Sequence, residues 1–599
     1  MVDYIAPISD MRFVLRELVD VSALTRLSGH ADFSIELADA VLAEAGKFAS
    51  GVLVPLNSVG DRIGASCQEG AVTTAPGWRA AYDAFTSGGW NGLSCAVQYG
   101  GQGLPRVLSA MVDEMWNSAN MAFALCPMLT RAAIEAVELA GSEVLKQAYM
   151  ARLISGEWTG TMNLTEPQAG SDLAAISTRA VPQSDGIFRL HGQKIFITYG
   201  DHDLTDNIVH MVLARCQDAP AGVKGLSLFL VPKYLTGPEG GIGGRNDVEC
   251  VSIEHKLGIR GSPTATLAFG SRGAGAVGYL VGELNRGLEY MFIMMNAARF
   301  AVGVEGIGIS QRAYELARSH ARERVQGAAL GTAASARVAI VQHPDVLRML
   351  LTMKAKIEAM RALAAVVAAA LDNAHGNPDQ GERRRAQQFA DLMIPVVKGW
   401  STENATEICS VGLQVHGGMG YVEETGAAQL LRDARITSIY EGTTGIQAND
   451  LTGRKILRDN GQVLQAMLSE MTQVRSTLIK SAAQPLNAIA VQLGQGIDAL
   501  HAGRTFLVEQ CNKDPRRAAA VAVPFLQLLG VVAGGWQMAR AAIAATARLD
   551  TGTSDPEFCR AKIATALVYA EHVLPSAVGL SATVCGGSDA VLQYDVEHL

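Results

Sequence analysis

The chain has 599 residues, 49% hydrophobic and 18% charged, with a net charge of −8. At roughly 150 residues per domain this length implies several packed units, and the apolar fraction excludes a disordered chain. The mild acidity argues against a nucleic-acid binder, which would carry a basic face.

The cysteines (Cys67, Cys95, Cys126, Cys216, Cys250, Cys409, Cys511, Cys559 and Cys585) are scattered, with no C-x-x-C spacing. Neither a disulfide framework nor a structural zinc site is signalled, and a reducing, cytoplasmic setting is expected. The opening Met1-Val-Asp-Tyr-Ile-Ala-Pro7 has no basic n-region, no apolar h-region and no transit-peptide character, so no targeting segment is expected.

In chain order, helical spacing marks residues 35–49 and 107–117, with glycine-rich loops at 88–90 and 99–105. The character changes near 161. Asp185-Gly186 is a hairpin signal, and segments 188–190, 194–198, 208–216, 226–231 and 264–269 are short and rich in β-formers. They predict a small antiparallel barrel or sandwich. Helices return after 284: residues 290–325 as one helix or two, 344–373 opened by Pro344-Asp345 and ended by Gly376 and Pro378, and 385–415. Long Ala/Leu/Met helices with short connections imply a bundle.

A further Ala-rich helical stretch follows Gly453. Within it, residues 518–537 carry no charge and are long enough to span a bilayer. Pro524, Gln527, Gly530, Gly534, Gly535 and Gln537 make a buried or interfacial helix the expected form, with no transmembrane segment. The expected division is an N-terminal extension (1–34), a helical domain (35–160), a β domain (161–283), a helical bundle (284–456) and a C-terminal helical domain (457–599). The fold class is mostly α with a central β domain.

No P-loop, H-E-x-x-H or G-x-S-x-G motif is present. Gly303-Val-Glu-Gly306-Ile-Gly308 lacks the G-x-G-x-x-G order and lies in a helical pattern, where close helix packing explains it. Four segments remain. Met162–Asp172 offers hydroxyls at Thr165 and Ser171 and a permissive Gly170. Phe196-Ile-Thr198 places an aromatic and a hydroxyl two apart on a strand, on one face. Gln414-Val-His-Gly-Gly418-Met-Gly-Tyr421 follows a long helix. Ile439–Gln447 sets Glu441 in a Gly/Thr loop before another helix, where free N–H groups can polarise a carbonyl.

In this order, T-E-P-x-A-G-S-D, the strand, the glycine loop and Y-E-G-T-T closely resemble the acyl-CoA dehydrogenase family over about residues 35–455. The length resembles that family's large subgroup, which includes enzymes acting on methylthiopropionyl-CoA and whose members are often dimeric. The resemblance implies FAD as cofactor, an acyl-CoA substrate, an electron-transfer flavoprotein as acceptor and a homodimer. Glu441 would be the base that removes the α-proton, giving a trans-2-enoyl-CoA. Met162, Leu164, Thr165, Gly170, Ser171, Phe196, Thr198, Thr443 and Gly445 would contact FAD. Arg324, Gln414 and Gly418 would serve the pyrophosphate and adenosine of the neighbouring subunit's FAD. Ser171, Asn296, Arg299, Tyr440 and Gly442 would face the substrate.

Three positions depart from the family pattern. Phe196 replaces Trp and loses an indole N–H, Gln168 replaces a small residue, and Asn296 stands where Asp is frequent. Other readings left open are an acyl-CoA oxidase, a non-catalytic acyl-CoA-binding assembly protein, and peripheral membrane contact by the C-terminal domain.

Overall fold

The β-rich segments join into one eight-stranded sheet in the structure, a computed structural model that describes residues 4–184, 186–237, 240–331, 337–481, 483–511 and 513–599. The strands are β1 (Trp158–Asn163), β2 (Arg179–Pro182), β3 (Phe188–Thr198), β4 (Asn207–Cys216), β5 (Leu226–Pro232), β6 (Val248–Ile253), β7 (Thr264–Phe269) and β8 (Ala276–Val281). Pairing runs β6-β7-β3-β8-β5-β4-β1, and β2 bridges β3 and β4. That bridge closes a ring, β3-β8-β5-β4-β2, which is the barrel. Its apolar filling includes Leu190, Val212, Phe229 and Ala276, all fully buried.

The expectation of a purely antiparallel arrangement is corrected, because β1 and β2 both pair with β4 in parallel. Every residue of β1 is buried, so it has no alternation for a period-two search to find. Segments 188–190 and 194–198 are one strand, continued through Gly192. A Cβ there would lie 2.4 Å from the Thr178 hydroxyl oxygen. Asp185 of the expected hairpin lies outside the described residues; β2 and β3 pair antiparallel on either side of it.

The chain divides into two compact units: Met1–Gly46, Pro105–Ser118 and Val302–Leu599 in the first, Lys47–Leu104 and Ala119–Ala301 in the second. The sheet belongs to the second. The helix expected at 107–117 runs Arg106–Ala140 and breaks at Asn120 (φ −160°, ψ 86°). The Asn120 side-chain Oδ1 accepts the Phe123 N–H at 3.1 Å and so restarts the helix.

The first unit holds the long helices Pro344–Gly376 and Gln380–His416, and the helix Gly287–Glu323 enters it at Val302. The helix expected from 385 starts earlier because the Asp379 carboxylate caps the Glu382 N–H at 2.8 Å. Close helix packing is what Gly303 and Gly308 serve. A Cβ on Gly303 would lie 2.7 Å from the Val397 carbonyl, and one on Gly308 2.7 Å from the Glu114 carbonyl.

The uncharged 518–537 stretch forms the middle of helix Pro515–Thr551. It is one of three described helices long and apolar enough to cross a membrane, but 72% of its most apolar window is buried inside protein. Its glycines admit neighbouring aromatics: a Cβ on Gly530 would sit 2.3 Å from Trp400 Cγ, and one on Gly534 2.5 Å from the Tyr569 hydroxyl. Helices Gln484–Phe506, Pro556–His572 and Ser576–Gly586 pack around it.

Candidate active site

In the second unit, the Met162–Asp172 segment leaves the end of β1 and is organised by its own acid. Glu166 is 2% exposed and gathers six hydrogen bonds: from Lys194 Nζ (2.8 Å), Gln168 Nε2 (2.7 Å), the Ser177 N–H and hydroxyl (2.7 and 2.8 Å) and the Thr178 N–H and hydroxyl (3.1 and 2.6 Å). Burial would raise its pKa, but Lys194 and these donors hold it down to about 2. Lys194, with no exposed side-chain surface, also donates to the Leu164 carbonyl at 3.0 Å. Gln168 reaches the Ala175 carbonyl and the Ser177 hydroxyl as well. A small residue could not make those bonds, which is the physical role of that departure from the family pattern.

Glu166 and Lys194 were missed in the sequence because a buried ion pair 28 residues apart has no local signature. Lys194→Met is expected to destabilise this unit by about 2 kcal/mol, less than a fully unpaired buried carboxylate would cost because five donors remain. A thermal melt of the variant checks it; an unchanged melt would contradict the central place given to this pair.

The hub leaves Thr165 half-buried, Gly170 and Ser171 exposed, and Met162 buried. The Thr165 carbonyl accepts the Ile195 N–H at 2.9 Å, which lays the motif against β3. Opposite, the β3–β7 register shifts between Leu267↔Lys194 and Ala265↔Ile197, so residues 195 and 196 share one partner. Phe196 takes φ +58° there and is 58% exposed, while Ile197 is buried and Thr198 half-buried. Simple alternation is therefore replaced by a bulge. A left-handed Phe costs about 1–2 kcal/mol, a strain that persists only where the surroundings impose it. Asn296 is exposed, whereas Arg299 is 4% exposed with its guanidinium over the Phe292 ring, 6.0 Å from the centroid.

In the first unit, Glu441 follows a short turn after helix Ala427–Ala434 and precedes helix Thr444–Asn449. Its φ is +54° and that of Gly442 is +89°. Only glycine adopts this freely, so the turn is held by outside bonds. Gln447 Nε2 donates to the Glu441 and Gly442 carbonyls (3.1 and 3.2 Å), and the buried Lys398 ammonium donates to the Gly442 carbonyl at 2.8 Å. Thr443 caps the next helix through the Ile446 N–H at 3.3 Å, and Thr444 donates to Glu403 at 2.5 Å. Glu441, Gly442 and Gly445 are half-buried and Thr443 is exposed.

The Tyr440 hydroxyl donates to Glu305, a buried acid on helix Gly287–Glu323. Burial pushes Glu305 up to about 8; the Tyr440 hydrogen bond and Lys398 oppose this, and the charge of Glu441 adds to it. Glu305 was read only as part of a glycine pattern. The available signal was a single acid in an otherwise apolar helical run.

Elsewhere in this unit, Arg324, Gln414 and Gly418 are exposed at the C-terminal ends of two helices. The stacked rings of His320 and His416 (centroids 4.6 Å apart) bring those ends together. No ion pair to the Arg324 guanidinium is found among the described residues. In the second unit, an outward aromatic on strained backbone with half-exposed hydroxyls beside it suits an isoalloxazine ring, so the residues present there fit a flavin; in the first, the exposed arginine by itself suits a phosphate.

Family models match along the chain: acyl-CoA dehydrogenase N-terminal domain at 41–157, middle domain at 161–271 and C-terminal domain at 285–456, and acetyl-CoA dehydrogenase C-terminal like at 466–595. The 3-methylmercaptopropionyl-CoA dehydrogenase of Ruegeria pomeroyi is 47% identical, covering 98% of this chain and 99% of that protein. In fold, the chain is similar to Caenorhabditis elegans ACDH-11 solved with C11-CoA (TM-score 0.76, 21% identity, 99% of this chain and 96% of that one). It is also similar to a Bacillus anthracis acyl-CoA dehydrogenase solved with FAD (TM-score 0.74, 21% identity, 96% and 91%). Four domain models in register and near-full-length identity with one relative place the chain in the acyl-CoA dehydrogenase family of FAD-dependent oxidoreductases.

Proposed function

We propose that Glu441 is the base that removes the α-proton of a short-chain or methylthio-substituted acyl-CoA, in a reaction that yields the trans-2-enoyl-CoA. The observation that carries this is the left-handed Glu441 backbone, clamped by Lys398 and Gln447. Strain at a non-glycine residue, maintained by buried donors, fits a side chain that must stand at one place.

The α-hydrogen of a thioester is weakly acidic, so a carboxylate needs help. The backbone N–H of Glu441 is the proposed donor to the thioester oxygen, and such donors are worth about 3–4 kcal/mol in other oxyanion sites. When bound, FAD supplies the acceptor for the β-hydride. Thr165, Ser171, Phe196 and Thr198 of the sheet unit would contact its ring system. Asn296, being exposed, is better placed than Arg299 to meet CoA.

The acyl preference is supported by the activity in the name of the Ruegeria relative. An electron-transfer flavoprotein is the proposed acceptor, on family resemblance. A homodimer is supported by the exposed Arg324, Gln414 and Gly418, which suit a neighbouring subunit's cofactor. The scattered free cysteines fit a cytoplasmic setting.

Anaerobic titration of the yellow protein with a panel of acyl-CoAs tests the reading. Methylthiopropionyl-CoA and butyryl-CoA are expected to bleach the flavin, and long-chain thioesters to bleach it less. Peroxide formation in air would favour an oxidase, and purified protein without flavin absorbance a binding protein.

A further inference from the structure

Glu305 is the single acid in the apolar run Val302–Ile309 of its helix. It is 1% exposed; Oε2 accepts the Tyr440 hydroxyl, and Oε1 has no hydrogen-bond partner among the described residues. The charged and titratable groups around it are Tyr440 and Glu441 from the turn, Lys398 from helix Gln380–His416 and Asp113 from helix Arg106–Ala140. Two of these are acids, and Lys398 has its ammonium on the Gly442 carbonyl. A carboxyl out of water among such neighbours keeps its proton at neutral pH, which agrees with the rise to about 8. The interior of a helix bundle rarely holds an acid without a cation bonded to it, so packing alone leaves this residue unexplained.

We propose that Glu305 is a positioning residue for the base: as a neutral acid it clamps the Tyr440 hydroxyl, fixes the turn that carries Glu441, and keeps a second negative charge away from the forming enolate. This rests on Glu441 being the base. Below pH 8 the clamp is neutral. Above it Glu305 ionises, and a buried charge bonded to the residue before Glu441 then opposes enolate formation, so kcat falls. In Glu305→Gln the carbonyl oxygen still accepts from Tyr440 but no proton can be lost. In Glu305→Leu the clamp is gone.

The test is kcat against pH 6–10 for the FAD-loaded protein and three variants, with flavin content and melting temperature measured alongside. Glu305→Leu is expected to lose about 30-fold or more in kcat at pH 7 with little change in KM, a misplacement effect. Glu305→Gln is expected to recover most of that loss, within about 3-fold of the parent, and to remove the fall above pH 8. A parent-like alkaline fall in Glu305→Gln, or an unchanged kcat in Glu305→Leu, would overturn the proposal. Glu441→Gln serves as the control: if that variant keeps its activity, it is the reading of the base that fails.

Discussion

Glu441→Gln is expected to bind FAD as the parent chain does and to turn over acyl-CoA about 10²–10⁴-fold more slowly, the usual contribution of a positioned general base. The amide is nearly isosteric, and Gln447 and Lys398 hold the turn through the backbone carbonyls of Glu441 and Gly442. The left-handed backbone should therefore survive, and the flavin spectrum and melting curve should change little. What is lost is the lone pair that takes the proton. Single-turnover flavin bleaching under anaerobic conditions isolates that step from reoxidation. Bleaching within about tenfold of the parent rate would remove Glu441 from the chemistry.

Arg361→Met should cost about 3–5 kcal/mol of stability, because it leaves a buried carboxylate without its cation. Arg361 is 3% exposed on helix Pro344–Gly376. Its guanidinium donates to Glu114 (Nε at 2.9 and 3.0 Å, Nη2 at 2.5 Å), to Gln311 at 2.8 Å and to Asp10 at 2.6 Å. Lys562 bonds Asp10 and Glu358 from the C-terminal side. Burial alone would raise Asp10, but Lys562 and then Arg361 hold it below the usual carboxylate range. Glu114 is already raised by burial, with Arg361 opposing.

Without that guanidinium, folded Glu114 would hold a proton that the unfolded chain releases above its ordinary pKa of about 4.3. The loss should then grow as pH rises from 5 to 8. The denaturant midpoint of the variant at these two pH values checks this, and adding Glu114→Gln should restore part of the loss, since no bare charge remains. A loss independent of pH would mean that lost packing, not the unpaired carboxylate, dominates.

Much of this molecule could be read locally. Apolar periodicity with Pro344 and Gly376 marked one long helix to within three residues of its end. β-Branched and aromatic runs located four of the eight sheet strands, and the glycines of the Gly303–Gly308 run were correctly assigned to packing. Glu441 stood out because an acid between an aromatic and glycine, before a threonine-capped helix, is a local pattern with a chemical meaning.

Other features depend on which distant segments the fold brings together, and local propensity carries no record of that. Parallel pairing of β1 and β2 with β4 leaves no alternation in the buried β1. The bulge that turns Phe196 outward is a property of two strands, not one. Lys194 and Glu166, Tyr440 and Glu305, and the Arg361 cluster join residues 28, 135 and as many as 552 positions apart. Chain order and residue type marked the long helices and half of the sheet strands, and singled out Glu441. Tertiary structure alone decided which charges lie buried side by side, because the cost of removing a charge from water is set by its neighbours in space and not in sequence.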